Sequence, residues 1–155
     1  MKIISGGQTG VDRAALDAAL EAHAPAGGWC PAGRTAEDGA IQDIYPVIEL
    51  ANAGYWARTR KNVVDSDATL VVYFKQLTGG TKETHNFCLI EKKPYLLINA
   101  ETSSIKNALD KLLSFIDNHK ITTLNVAGPR ASGDARAYGY TKQLILNALN
   151  ELKTT

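Results

Sequence analysis

Ile3-Ile4-Ser5-Gly6-Gly7-Gln8-Thr9-Gly10-Val11-Asp12-Arg13 decides how this chain is read: two apolar residues run into a glycine turn, and an alanine-rich helical segment follows. The pattern is a short strand, a tight turn and a helix. The first amides of a helix have no intrahelical partner and carry the positive end of the macrodipole. Glycines ahead of them let an anion approach the backbone without meeting a Cβ. Gly6, Gly7, Gln8, Thr9 and Gly10 are therefore candidate phosphate-binding residues. Their spacing matches neither the dinucleotide fingerprint nor the P-loop, which would end in Gly-Lys-Ser/Thr. Alone, the turn fits a phosphate cradle and a plain tight βα connection equally well.

Outward from this unit, apolar runs of strand length alternate with segments of helical period, the pattern of βα repeats around a parallel sheet. Strands are expected at Lys2 to Ser5, more weakly at Gly28 to Cys30, and at Thr69 to Phe74, Tyr95 to Ile98 and Thr123 to Ala127. Helices are expected over Val11 to Ala22, Ser103 to Asn118 and about Ala137 to Leu152, with a further one after Thr81 carrying Phe87, Leu89 and Ile90. In the Ser103 helix, Ile105, Leu109, Leu112, Leu113 and Ile116 share one face, which should lie on the sheet. Pro31 to Glu49 has no clean period and reads as a long loop with one turn of helix. The expected fold is α/β, Rossmann-like and three-layered, with about five mainly parallel strands and helices on both faces. With 155 residues and no linker, residues 1–155 read as one domain.

Lys+Arg 17 against Asp+Glu 16 leaves a net charge of +1, so no bulk attraction to nucleic acid or to an acidic membrane is expected. Cys30 and Cys88 form neither a disulfide framework nor a CxxC pair. From the start Met1-Lys2-Ile3-Ile4 neither a signal peptide nor a membrane span is expected, and a cytoplasmic setting is the expectation. His23, His85 and His119 are scattered, no two at ligand spacing, so no metal site is expected.

In open α/β sheets, ligands bind beyond the carboxyl ends of the strands, and every polar, glycine-rich segment here follows a strand. Thr78-Gly79-Gly80-Thr81 is a second glycine turn at a helix start, where Thr81 either caps the helix or touches a phosphate oxygen. Gly128-Pro129-Arg130 places a guanidinium near the same rim, suited to a phosphate or to an ordinary salt bridge. Arg34 and Arg58 are further candidates of the same kind, both with less weight than Arg130. Glu37 and Asp38 suit ribose hydroxyls or base chemistry, or are simply solvated. Asp12 is an alternative cap for its own helix, and Asp65 and Asp67 are expected at the opposite end of the sheet, in capping and solubility roles. Trp29 either stacks on a heterocycle or packs in the core, and Cys30 reads as a buried thiol.

Ser5 to Asp17, Gly28-Trp29-Cys30-Pro31-Ala32-Gly33-Arg34 with Ala36-Glu37-Asp38-Gly39, Arg58-Thr59 with Asn62-Val63, Asp65 to Thr69, Gly79-Gly80-Thr81 and Asn125 to Arg130 together resemble the putative molybdenum carrier family, in order and over most of the chain. That family is similar in fold to the lonely-guy-type phosphoribohydrolases, the DNA-processing A proteins and the algal molybdenum-cofactor carrier. The resemblance implies a binding protein, with the phosphate of a pterin cofactor on the glycine loops. The phosphoribohydrolase pattern Gly-Gly-x-Gly-Thr-x-x-Glu meets Thr84 here at its catalytic glutamate, and Glu83 lies about 100 degrees around the helix. The expectation is a non-catalytic, homo-oligomeric carrier of a phosphorylated small molecule. Its ligand is molybdenum cofactor (molybdopterin) or a nucleotide, held by Gly6 to Gly10, Arg34, Gly79 to Thr81 and Arg130. The rival is a nucleotide-processing enzyme using Glu37, Asp38 or Glu83 as acid or base; a third reading is a nucleotide-sensing module.

Overall fold

The computed structural model describes residues 1–54 and 56–155. Along the chain β1 (Lys2–Ile4) leads into α1 (Val11–Glu21), β2 (Ala26–Gly27), β3 (Trp29–Pro31) and a single 3-10 turn, Ala32–Arg34. β4 (Thr35–Ala36), β5 (Gly39–Ala40), β6 (Ile48–Leu50) and α2 (Ala57–Val64) follow. The second half alternates regularly: β7 (Ala68–Tyr73), α3 (Gly79–Ile90), β8 (Tyr95–Asn99), α4 (Ile105–His119), β9 (Thr123–Ala127) and α5 (Ala137–Thr154).

Five of these strands form one parallel sheet in the order β2-β1-β9-β7-β8. The central strands are mostly apolar because both faces are covered; Leu70, Val71, Val72, Leu124 and Val126 are all fully buried. α1, α4 and α5 pack together on one side, whereas α2 and α3 pack together on the other. α1 approaches α5 closely because Ala14, Ala15, Ala18 and Ala19 present only methyl groups, all fully buried. The predicted stripe of α4 does face the core: Leu112 and Ile116 are buried, and Ile105, Leu109 and Leu113 pack around them. The chain is a three-layer α/β structure of Rossmann type.

Two local expectations need correction. The strand expected at Gly28 to Cys30 is split at Gly28, whose φ of 127° belongs to glycine and whose missing Cβ would lie 2.0 Å from the Ser5 carbonyl oxygen. Ala26–Gly27 therefore joins the main sheet, while Trp29–Pro31 pairs with Ile48–Leu50 in a separate parallel ribbon. The stretch read as a long loop also holds the antiparallel β4–β5 hairpin and its own small core of Cys30, Ile41, Tyr45 and Val47 against Leu16.

Candidate functional site

Strand order creates a crevice. β1 turns into α1 on one face of the sheet, and β7 turns into α3 on the other, with β9 between them. Connections that diverge to opposite faces leave a gap at the carboxyl ends of their strands. A cleft of about 840 Å³ opens there, lined by Gly6, Gln8 and Asp12 after β1, Gly79 to Thr81 after β7, and Gly128 to Arg130 after β9. α2 contributes Arg58, Thr59 and Asn62 with Trp56 just ahead of it, and the hairpin contributes Thr35 to Glu37.

The two glycine turns differ in what their amides do. The first is stitched to its surroundings: Gly7 N–H donates to Ser5 Oγ, Gln8 N–H to Asp12 Oδ2 at 3.3 Å, and Val11 N–H to the Pro129 carbonyl. At the second, Lys82 N–H donates to the Thr78 carbonyl, and the amides of Gly79, Gly80 and Thr81 ahead of it have no acceptor among the described residues. These are the orphan donors of a helix start, and they line the cleft. Thr81 is buried beside them, its hydroxyl without a hydrogen-bond partner among the described residues.

Gly6 fits the site by lacking a side chain. A Cβ there would stand 1.9 Å from Arg58 Nη1 and 2.9 Å from Asp12 Oδ2. Arg58 Nη1 lies 4.0 Å from Asp12 Oδ2, and the guanidinium finds no closer acceptor among the described residues although its side chain is only 19% exposed. Burial pushes the Asp12 carboxyl up to about 6, against the pull of Arg58, the Gln8 amide, Arg130 and Arg13. Glu37 at the outer lip accepts hydrogen bonds from the hydroxyls of Thr9 and Ser132, which hold its carboxylate below the usual range.

Of the residues expected to hold a ligand, Gly6, Gln8, Gly79, Gly80, Thr81 and Arg130 line the cleft. Gly7, Thr9, Gly10 and Arg34 do not. The Gly7 carbonyl accepts from the Arg13 guanidinium, Thr9 joins Glu37 to the Ala131 amide, and Gly10 packs against Pro129 to Ala131. Arg34 donates to the carbonyls of Ile41, Val47, Gln42 and Tyr45, so its fork fastens the loop around the small core. Trp29 is turned elsewhere too, with its ring N–H 2.8 Å from Asp65 and Lys61 over its face. Asp67 accepts from the amides of Thr122 and Thr123 at the amino end of the sheet.

Trp56, Asn62 and Asn125 are cleft residues that the sequence reading did not single out as candidates, and Arg58 matters more than its weight there. Asn125 was the visible signal, an amide inside an otherwise apolar strand. Its side chain donates to Thr69 Oγ1 in the buried layer beneath the cleft. Thr84, where the phosphoribohydrolase pattern has glutamate, donates its hydroxyl back to the Gly80 carbonyl, and Glu83 is not among the residues lining the cleft.

A model of the circularly permutated YpsA SLOG family matches residues 3–149. The chain belongs to that family. The crystal structure of a putative molybdenum carrier protein from Syntrophus aciditrophicus SB is 46% identical, with the match covering 96% of this chain and 93% of that one, and superposes with a TM-score of 0.91. Among proteins of curated function no significant match is found. Both findings agree with the resemblance drawn from the sequence blocks between Ser5 and Arg130.

Proposed function

We propose that this cleft binds a phosphate-bearing heterocycle and that the protein is a carrier of molybdenum cofactor. The observation that carries the reading is the donor set lining one cleft: the amides of Gly79, Gly80 and Thr81 and the Arg130 guanidinium, none with a hydrogen-bond acceptor among the described residues, and Arg58, whose guanidinium has only the Asp12 carboxylate at 4.0 Å. Guanidinium forks and helix-start amides suit phosphate oxygens. Trp56, 37% exposed and lining the cleft with its ring edge in van der Waals reach of Gly80, gives an aromatic surface for a flat ring. The choice of a molybdenum-bearing pterin over other rings leans on the Syntrophus relative, whose structure is described as that of a putative molybdenum carrier protein. Calorimetric titration with molybdenum cofactor, simpler pterin phosphates and nucleoside monophosphates tests it. Pterin phosphates should bind most tightly and lose affinity in Arg130→Ala and Arg58→Ala; binding of none of these compounds refutes the proposal, and a preference for nucleotides refutes its specific form.

A further inference from the structure

We infer that Asp12 sets which anion the cleft accepts: its carboxyl meets the ligand's anionic group through a shared proton, so the site selects a phosphate monoester over a sulfate ester. The inference rests on the reading of the cleft as a phosphate site and goes beyond it. Asp12 stands in the first turn of α1, 7% exposed, on the wall of the cleft beside Gly6. Its Oδ2 takes the Gln8 amide and lies 4.0 Å from Arg58 Nη1, whereas Oδ1 has no hydrogen-bond partner among the described residues.

An oxyanion bonded to Arg58 therefore arrives next to this carboxyl. An ionised carboxylate can only accept hydrogen bonds, and two negative oxygens brought together in a low-dielectric site repel unless a proton lies between them. A phosphate monoester, whose second ionisation is near pH 6, can hold that proton; a sulfate ester near neutral pH cannot. The charged groups facing Asp12 are Arg58 from α2, Arg130 from the segment after β9 and Arg13 from α1, all cationic. Glu37, the other carboxylate on the cleft wall, is occupied at the lip by Thr9 and Ser132. The raised affinity of Asp12 for its proton agrees with this geometry: burial without a bonded cation leaves its charge poorly compensated.

The test is a pair of amide-resolved NMR titrations with inorganic phosphate and inorganic sulfate, at pH 8 and pH 5, following the Gly6, Gly80 and Thr81 resonances. At pH 8 inorganic phosphate still carries a proton and sulfate does not, so phosphate should bind about tenfold or more tightly. At pH 5 Asp12 carries the proton itself and the preference should shrink several-fold, with sulfate gaining affinity. Asp12→Asn, whose amide can donate at either pH, should bind the two ions within about threefold of each other. Equal affinities in the native protein at pH 8, a preference unchanged in Asp12→Asn, or no shift of these amides with either ion would overturn the inference. If Asp12→Asn fails to fold, the native protein's two-pH comparison decides alone. A protein that binds a pterin phosphate or nucleotide without preferring phosphate to sulfate refutes the role of Asp12 and leaves the proposed function standing.

Discussion

At the scale of single residues, Asp12 and Gly6 show how the cleft trades stability for a site. A carboxyl raised from 3.8 to about 6 favours the folded state when protonated; its contribution is complete below the unfolded value and is lost as pH rises through the folded one. Above that range the native state carries a buried charge that the unfolded chain would solvate, a penalty of about 3 kcal/mol at 1.36 kcal/mol per unit. Asp12→Asn should therefore leave stability near pH 4 almost unchanged and raise it near pH 8, an outcome read from urea melts across that range. Gly6→Ala separates site from scaffold differently. Its methyl would collide with the end of the Arg58 side chain, which can swing aside, and with the Asp12 carboxyl. We expect a loss of stability within about 1 kcal/mol, as at positions without backbone strain, alongside loss of calorimetric ligand binding.

The elements divide between what periodicity reveals and what side-chain chemistry hides. β7, β9, α4 and α5 were legible because their apolar residues repeat with the period of a covered strand or a core-facing helix. α2 was not, because the residues it buries are Thr59, Asn62 and Val63, two of them polar, so its inward face carries no apolar stripe. The same polarity is what equips it to wall a ligand cleft. The two glycine turns and Arg130 could be placed on one rim from their positions after strands, whereas the inward use of Arg34 could not. Nothing in Gly-Arg-Thr announces that four carbonyls from residues 41 to 47 will close on one guanidinium. That arrangement makes the segment between Pro31 and Glu49 dependent on one side chain. Arg34→Ala should cost about 2–4 kcal/mol, given the strength of hydrogen bonds to charged groups and their partial exposure. Proteolysis under native conditions should then cut first between residues 35 and 47, with α4 and α5 still protected.

On the scale of the whole molecule, the sheet order makes ligand binding a contact between parts that are distant in sequence. Gly6 follows the first strand, Gly80 the third strand of the sheet in sequence and Arg130 the last, and β9 inserts between β1 and β7 so that α1 and α3 leave on opposite faces. A ligand that touches all three segments binds only when the sheet is assembled, so its binding energy adds to folding stability through mass action. At about a hundred times its dissociation constant a ligand adds roughly 2.7 kcal/mol, which for a chain of this size is a rise in melting temperature of about 5–10 °C. The rise should grow with the logarithm of ligand concentration, separating specific binding from a general salt effect. In Arg130→Ala, melting of the free protein should stay close to that of the native chain, since that exposed guanidinium donates no hydrogen bond among the described residues, whereas Arg58→Ala should lower it by taking the nearest cation from the buried Asp12 carboxyl; the ligand-induced rise shrinks in both. A rise that survives both substitutions would place the ligand away from the crevice at the strand ends.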